Sequence, residues 1–312
     1  MDALIFSANV VLPLLLMMVT GFICRRFGLI DDAMVKSCNK LVFKVFLPMS
    51  LFYSVLTTPY DTQIPVKMIV YVVACTLASM AFIFWLIPRI EKDRRKIGVM
   101  IQGMFRGNYA IFGIPMVGLL FPGENTSVAA ILVIFIVPLY NVMAVIALSI
   151  YADSKPDLLG TVKRIITNPL IVATLGGFVC WILRVQLPAP VNTALSKMGS
   201  IATNLALVLL GAAIHVESIR SHKKQLSLMV STKLVILPLL FVTGAGLLGI
   251  RGIPLACVLI AFAAPTSVSS FTMTQQIGGD DQLAAEQVAL TSAGCVLTVF
   301  LFIFGMKALG WI

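Results

Sequence analysis

The chain has 312 residues, of which 59% are hydrophobic and only 12% charged, and its mean hydropathy is +1.01. A soluble domain carries roughly a quarter of its residues charged, so the composition excludes an ordinary soluble protein and describes a polytopic membrane protein with recurring apolar runs of about 20 residues. The net charge of +10 reads as basic loops facing an anionic cytoplasmic leaflet rather than as a nucleic-acid footprint.

The first apolar run starts at Leu4 with no basic residue before it, and so reads as a true first span rather than a cleavable leader. Apolar runs then place ten spans at about 4–24, 36–56, 67–88, 97–121, 126–151, 168–184, 193–216, 226–249, 252–275 and 283–309. In span 2, Ser50 follows a kink expected at Pro48, and Lys40 and Lys44 share one helix face, from which they can snorkel to the headgroups.

Span 4 contains FRGNYAIFGIPMVGLL (105–120), with Arg106, Gly107, Asn108, Tyr109, Gly113 and Pro115 crowding its middle. A membrane helix needs such residues only where it opens. Span 5 carries Asn141 in PLYNVMA, as a site residue or as helix–helix glue. Span 8 carries Lys233, either deep in the membrane or snorkelling. Span 9 contains AFAAPTSVSSF (261–271), where Pro265 precedes Thr266, Ser267, Val268, Ser269 and Ser270. Two interrupted hydrophobic segments in two halves of one chain point to a midplane binding site in a secondary transporter.

The basic residues Arg25, Arg26, Lys36, Arg89, Lys92, Arg94, Arg95, Lys96, Lys155, Lys163, Arg164, Arg220, Lys223 and Lys224 gather in the loops after spans 1, 3, 5 and 7. By the positive-inside rule these loops are cytoplasmic and both termini lie outside. Five spans on either side of Tyr151 force the second half to enter from the opposite face. Pro13, Gly21, Phe22 and Cys24 recur as Pro169, Gly177, Phe178 and Cys180, each 156 positions later. The expected fold is all-α. Two inverted five-helix repeats, 1–151 and 168–312, are joined by a hydrophilic linker at 152–167.

Proline suits a first helical position because it has no N–H to strand. Pro115 and Pro265 therefore read as the starts of two half-helices whose amide-rich ends converge on an anion such as a carboxylate, the alternative being a pair of structural proline kinks. Asn108, Tyr109, Thr266, Ser267 and Ser269 supply polar contacts, and Arg106 or Lys233 supplies longer-range positive potential. Glu217 and Glu286 lie near span ends, and no carboxylate lies deep in a span. Arg106 reads equally well as a cytoplasmic anchor, and His215 as an interfacial group. The six cysteines form no C-x-x-C pair and meet no His cluster, so no metal, disulfide or cofactor is expected.

RGNYAIFGIPMVGLL, LVFKVFLPMSL, PLYNVMAVIAL and the Pro265 segment together resemble the auxin efflux carrier family in its short bacterial form, over essentially the whole chain. The resemblance implies a permease for malonate, malate or a similar organic acid and a fold like the bile-acid sodium symporters. It implies a scaffold and homodimer contact from spans 1, 2, 6 and 7, with a mobile transport domain from spans 3–5 and 8–10 working as an elevator. It assigns Asn108 and the Pro115 break to the first crossover, Pro265 and Val268 to the second, and Ser50 and Asn141 to contacts from spans 2 and 5. The chain departs from the family at Asn204, where many relatives have proline. It also lacks the transport-domain carboxylate and the long cytoplasmic loop of the plant carriers. A sodium-coupled symporter and an anion channel remain alternatives. An intramembrane enzyme would need more than the loop pairs Asp31-Asp32 and Asp280-Asp281.

Overall fold

A computed structural model describes residues 2–58, 65–122, 124, 127–152, 166–214 and 220–312. Positions 153–165, which form nearly all of the expected linker, lie outside the described residues, as do His215 and Glu217. The helices are α1 (Asp2–Arg26), α2 (Asp32–Leu56), α3 (Val66–Ile90), α4 (Arg94–Phe105), α5 (Tyr109–Leu120), α6 (Ser127–Tyr151), α7 (Pro169–Ile182), α8 (Ala189–Ala213), α9 (Lys223–Leu247), α10 (Gly252–Ala263), α11 (Ser269–Ile277) and α12 (Asp281–Ala308). Among the described residues no strand occurs beyond one isolated bridge. Among the described residues six helices, α2, α3, α6, α8, α9 and α12, are long and apolar enough to cross a membrane.

Large apolar side chains such as Leu16, Phe82, Leu240 and Phe304 are exposed on the outer faces, where a bilayer would cover them. Lys40 and Lys44 are exposed, as snorkelling requires, whereas Lys233 is fully buried at 0% exposure.

Small residues set the helix contacts. α1 packs along α8 with Gly21 and Gly211 at the crossing. A Cβ on Gly211 would lie 1.8 Å from the Met18 carbonyl oxygen, and one on Gly21 would lie 1.9 Å from that of Val208. Only glycine lets the two backbones approach this closely, which is the packing rule where lipid removes the hydrophobic drive between helices. α2 packs against α7, with Gly177 against the Phe52 backbone, and against α8, with Gly199 against Ser50. α10 is enclosed by α5, α6, α9 and α12, and its residues Leu255–Ala263 are all buried.

Two prolines do more than kink a helix. Pro48 and Pro238 each follow a π-turn, Val42–Phe46 in α2 and Thr232–Ile236 in α9, closed by Leu47 N–H on the Val42 carbonyl and Leu237 N–H on that of Thr232. A proline ring clashes with the carbonyl four residues back, and the wider turn relieves that contact. In α9 the turn carries Lys233 into the protein interior.

Pro115 and Pro265 correct the expectation that each opens a half-helix. α5 begins at Tyr109, with Pro115 exposed in its interior, and α11 begins at Ser269, four residues beyond Pro265. Extended residues form the breaks instead: Arg106 (φ −77°, ψ 112°) ends α4 and Ala264 (φ −57°, ψ 143°) ends α10. Proline biases its predecessor away from helix, so Pro265 acts by forcing Ala264 into this extended form.

Candidate functional site

The break between α4 and α5 touches the break between α10 and α11. Asn108 N–H donates to the Pro265 carbonyl at 2.8 Å, and Gly107 pairs with Thr266 as an antiparallel bridge. Gly107 sits in a tight place, since a Cβ there would meet the Ala261 carbonyl oxygen and Lys233 Nζ, each at 3.1 Å, and both would have to give by a few tenths of an ångström. Thr266 ties the crossing down: its N–H donates to Thr291 Oγ1 at 3.1 Å and its hydroxyl to the Gly103 carbonyl at 3.0 Å. Backbone groups freed by the two breaks thus find partners within the protein, which is the condition for opening a helix in lipid.

A cavity of about 390 Å³ lies against one side of this crossing. Its walls include the first turns of α5 and α11, parts of α2, α6 and α8, and Arg106. Neither Asn108 nor Val268, the N-cap residues, caps its helix with a side chain. The first turns of two helices therefore border one space, and both helix ends carry partial positive charge, with the Ser270 and Phe271 amides of α11 turned back onto the Ser267 and Val268 carbonyls.

Arg106 decides the electrostatics. The residue is only 4% exposed and borders the cavity, with its guanidinium bonded to two other wall residues. Nη2 donates to Asn141 Oδ1 and to Ser269 Oγ, both at 2.6 Å, and Nη1 lies 2.6 Å from Met273 Sδ. Ser269 Oγ is 2.8 Å from Ser267 Oγ. All these partners are neutral, and among the described residues no carboxylate forms a salt bridge with Arg106. A buried cation surrounded by dipoles and facing a cavity is complementary to an anion.

Of the residues expected at the site, Ser50, Arg106, Asn108, Tyr109, Asn141, Ser267, Val268 and Ser269 border the cavity. Tyr109 does so with its hydroxyl committed to the Ala129 carbonyl at 3.2 Å. Thr266 and Pro265 stand in the crossing itself, Pro115 lies away from it, and Lys233 sits behind it, with Nζ 3.4 Å from the Phe105 carbonyl.

Beyond Ser50, sequence reasoning missed the rest of two hydroxyl stripes on facing helices, Ser54 on α2 with Thr57 just past its end, and Ser196, Ser200 and Thr203 on α8, all at the cavity. Their i, i+4, i+7 spacing was the available signal. It also missed a polar cluster where α3, α4, α9 and α12 have their ends. His222 Nδ1 lies 2.9 Å from Glu286 Oε2, and Nε2 lies 3.6 Å from Asp280 Oδ2. Glu286 is 0% exposed although only in the second turn of α12. Nearby, Gln225 Nε2 donates to Glu91 Oε2 at 2.8 Å. Partial burial pushes the Glu91 carboxyl up. Hydrogen bonds from the Asp93 N–H, the Gln225 amide and the Lys92 N–H outweigh that, and hold it below the usual carboxylate range.

A transmembrane helix bundle with crossed interruptions is one observation, and family comparison supplies the other. The model of a family described as "Membrane transport protein", that of the auxin efflux carriers, matches residues 6–303. The chain belongs to this family. It is a multi-pass membrane transport protein and not an enzyme. The chain is also similar to a protein of Rhizobium meliloti (strain 1021) named "Putative malonate transporter". They are 24% identical over 299 residues, covering 93% of each chain.

Proposed function

We propose that the protein is a secondary carrier that moves a small organic anion, a mono- or dicarboxylate, across the cytoplasmic membrane. The carboxylate binds in the cavity at the crossing, against the first turns of α5 and α11, the Asn108 carboxamide and the Arg106 guanidinium. The single observation that carries this reading is Arg106: a buried cation beside a cavity, with neutral partners only among the described residues.

Ten spans in two inverted repeats suit the crossed breaks, with both termini outside. In this reading α1, α2, α7 and α8 form the scaffold and the homodimer contact. The remaining helices move as an elevator and carry the anion between the hydroxyl-lined faces of α2 and α8. The similarity to a relative named for malonate makes malonate the first probe. The rival sodium-coupled symporter would need oxygen ligands at the crossing without a competing cation, and Arg106 occupies the cavity wall. An anion channel would not need a moving domain.

The test is uptake of labelled malonate, and of a panel of mono- and dicarboxylates, into proteoliposomes by the native chain and by Arg106→Gln. Saturable uptake of at least one of these anions, lost in the variant, supports the reading. Uptake that survives Arg106→Gln undiminished refutes it.

A further inference from the structure

Lys233 has no part in the cavity wall, yet it is as buried as any residue in the protein. Its Nζ lies 3.4 Å from the carbonyl oxygen of Phe105, the last residue of α4. It also lies 3.1 Å from the point a Gly107 Cβ would occupy, a point equally 3.1 Å from the carbonyl oxygen of Ala261 in the last turn of α10. The Ala261 oxygen already accepts the Tyr140 hydroxyl at 2.9 Å.

The crossing therefore has two electrostatic sides. The starts of α5 and α11, the positive helix ends, border the cavity. The ends of α4 and α10 face the opposite way with carbonyls, and helix C-termini carry partial negative charge. Converging carbonyl oxygens of unwound helices are the kind of ligand set that takes Na⁺ in a secondary transporter. Here a tethered ammonium stands beside them, 3.4 Å from the Phe105 oxygen, with the Ala261 oxygen across Gly107. Among the described residues no carboxylate pairs with it.

We infer that Lys233 is a built-in counter-cation: it occupies the position of a coupling metal ion, holds the ends of α4 and α10 together, and makes the carrier independent of sodium. This rests on the anion-carrier reading, but its test does not need the anion. Lys233 is a positioning residue, acting on the half-helices and through them on the cavity.

The experiment is thermal unfolding of the purified full chain in detergent, in sodium chloride against choline chloride at equal ionic strength. The native chain should show the same Tm in both. Lys233→Ala, with the ammonium removed and space left, should melt about 5 °C or more lower in choline, and sodium or methylammonium should restore part of the loss. Lys233→Gln separates charge from packing and should show the same deficit.

A native chain stabilised by sodium over choline overturns the inference, whether or not the variants fold. So does a Lys233→Gln protein as stable as the native one. A chain that passes this test but carries no anion in proteoliposomes would refute the carrier reading alone.

Discussion

Arg106 and Asn141 are separated by 35 positions and meet at 2.6 Å, guanidinium to carboxamide oxygen, at the wall of a cavity. The contact fixes the amide orientation, because only the oxygen can accept from a guanidinium. It also joins the broken segment to α6 without neutralising it. The guanidinium keeps its full charge for a ligand.

Asn141→Asp should therefore disable the carrier more than Asn141→Ala does. An aspartate 2.6 Å from the guanidinium would pair with it and cancel the charge offered to the anion. Alanine removes one hydrogen bond and leaves the cation in place. We expect organic-anion uptake to fall about tenfold or more for the aspartate variant, as for losing one charge-assisted contact, and less for alanine. Equal loss in the two variants would remove the electrostatic role.

Asn108→Ala should raise the KM for the transported anion about tenfold, the worth of one hydrogen bond to a charged group. Pro115→Ala is the matched control, since Pro115 lies inside α5 away from the cavity. Alanine there restores the helix N–H that proline lacks, so its KM should be unchanged and its Tm equal or higher. Unchanged uptake by Asn108→Ala would take that residue out of the site.

His222→Ala should destabilise the fold by about 1–3 kcal/mol, because it deprives the buried Glu286 carboxylate of a partner at 2.9 Å. His222→Gln, which can still donate, should recover part of the loss. Thermal unfolding in detergent measures both, and a His222→Ala protein with the native Tm would show that the pair contributes nothing to stability.

The interruptions were legible because glycine, asparagine and proline have no business in the middle of a lipid-spanning helix unless it opens. Asn108 and the Ser267–Ser269 run could be placed at the crossing for that reason. Where each half-helix begins could not be read from proline. Pro115 is tolerated inside α5, and Pro265 acts on the residue before it rather than on the helix after it. The direction of Arg106 was equally hidden: a basic residue at the end of a half-helix can turn outward to headgroups or inward to a cavity, and only the position of Asn141 and Ser269 decides. The pairing of His222 with Glu286 joins residues 64 positions apart, beyond any local periodicity.

The π-turn ahead of Pro238 has one more consequence. A π-turn stores an extra residue that an α-helix would have to spend on rotation, about 100° of it. Wound as a regular α-helix, the same stretch would swing everything before Pro238 round the axis relative to everything after it, and the ammonium with it. The aim of the lysine is thus set by the bulk of a pyrrolidine ring five residues further along the chain.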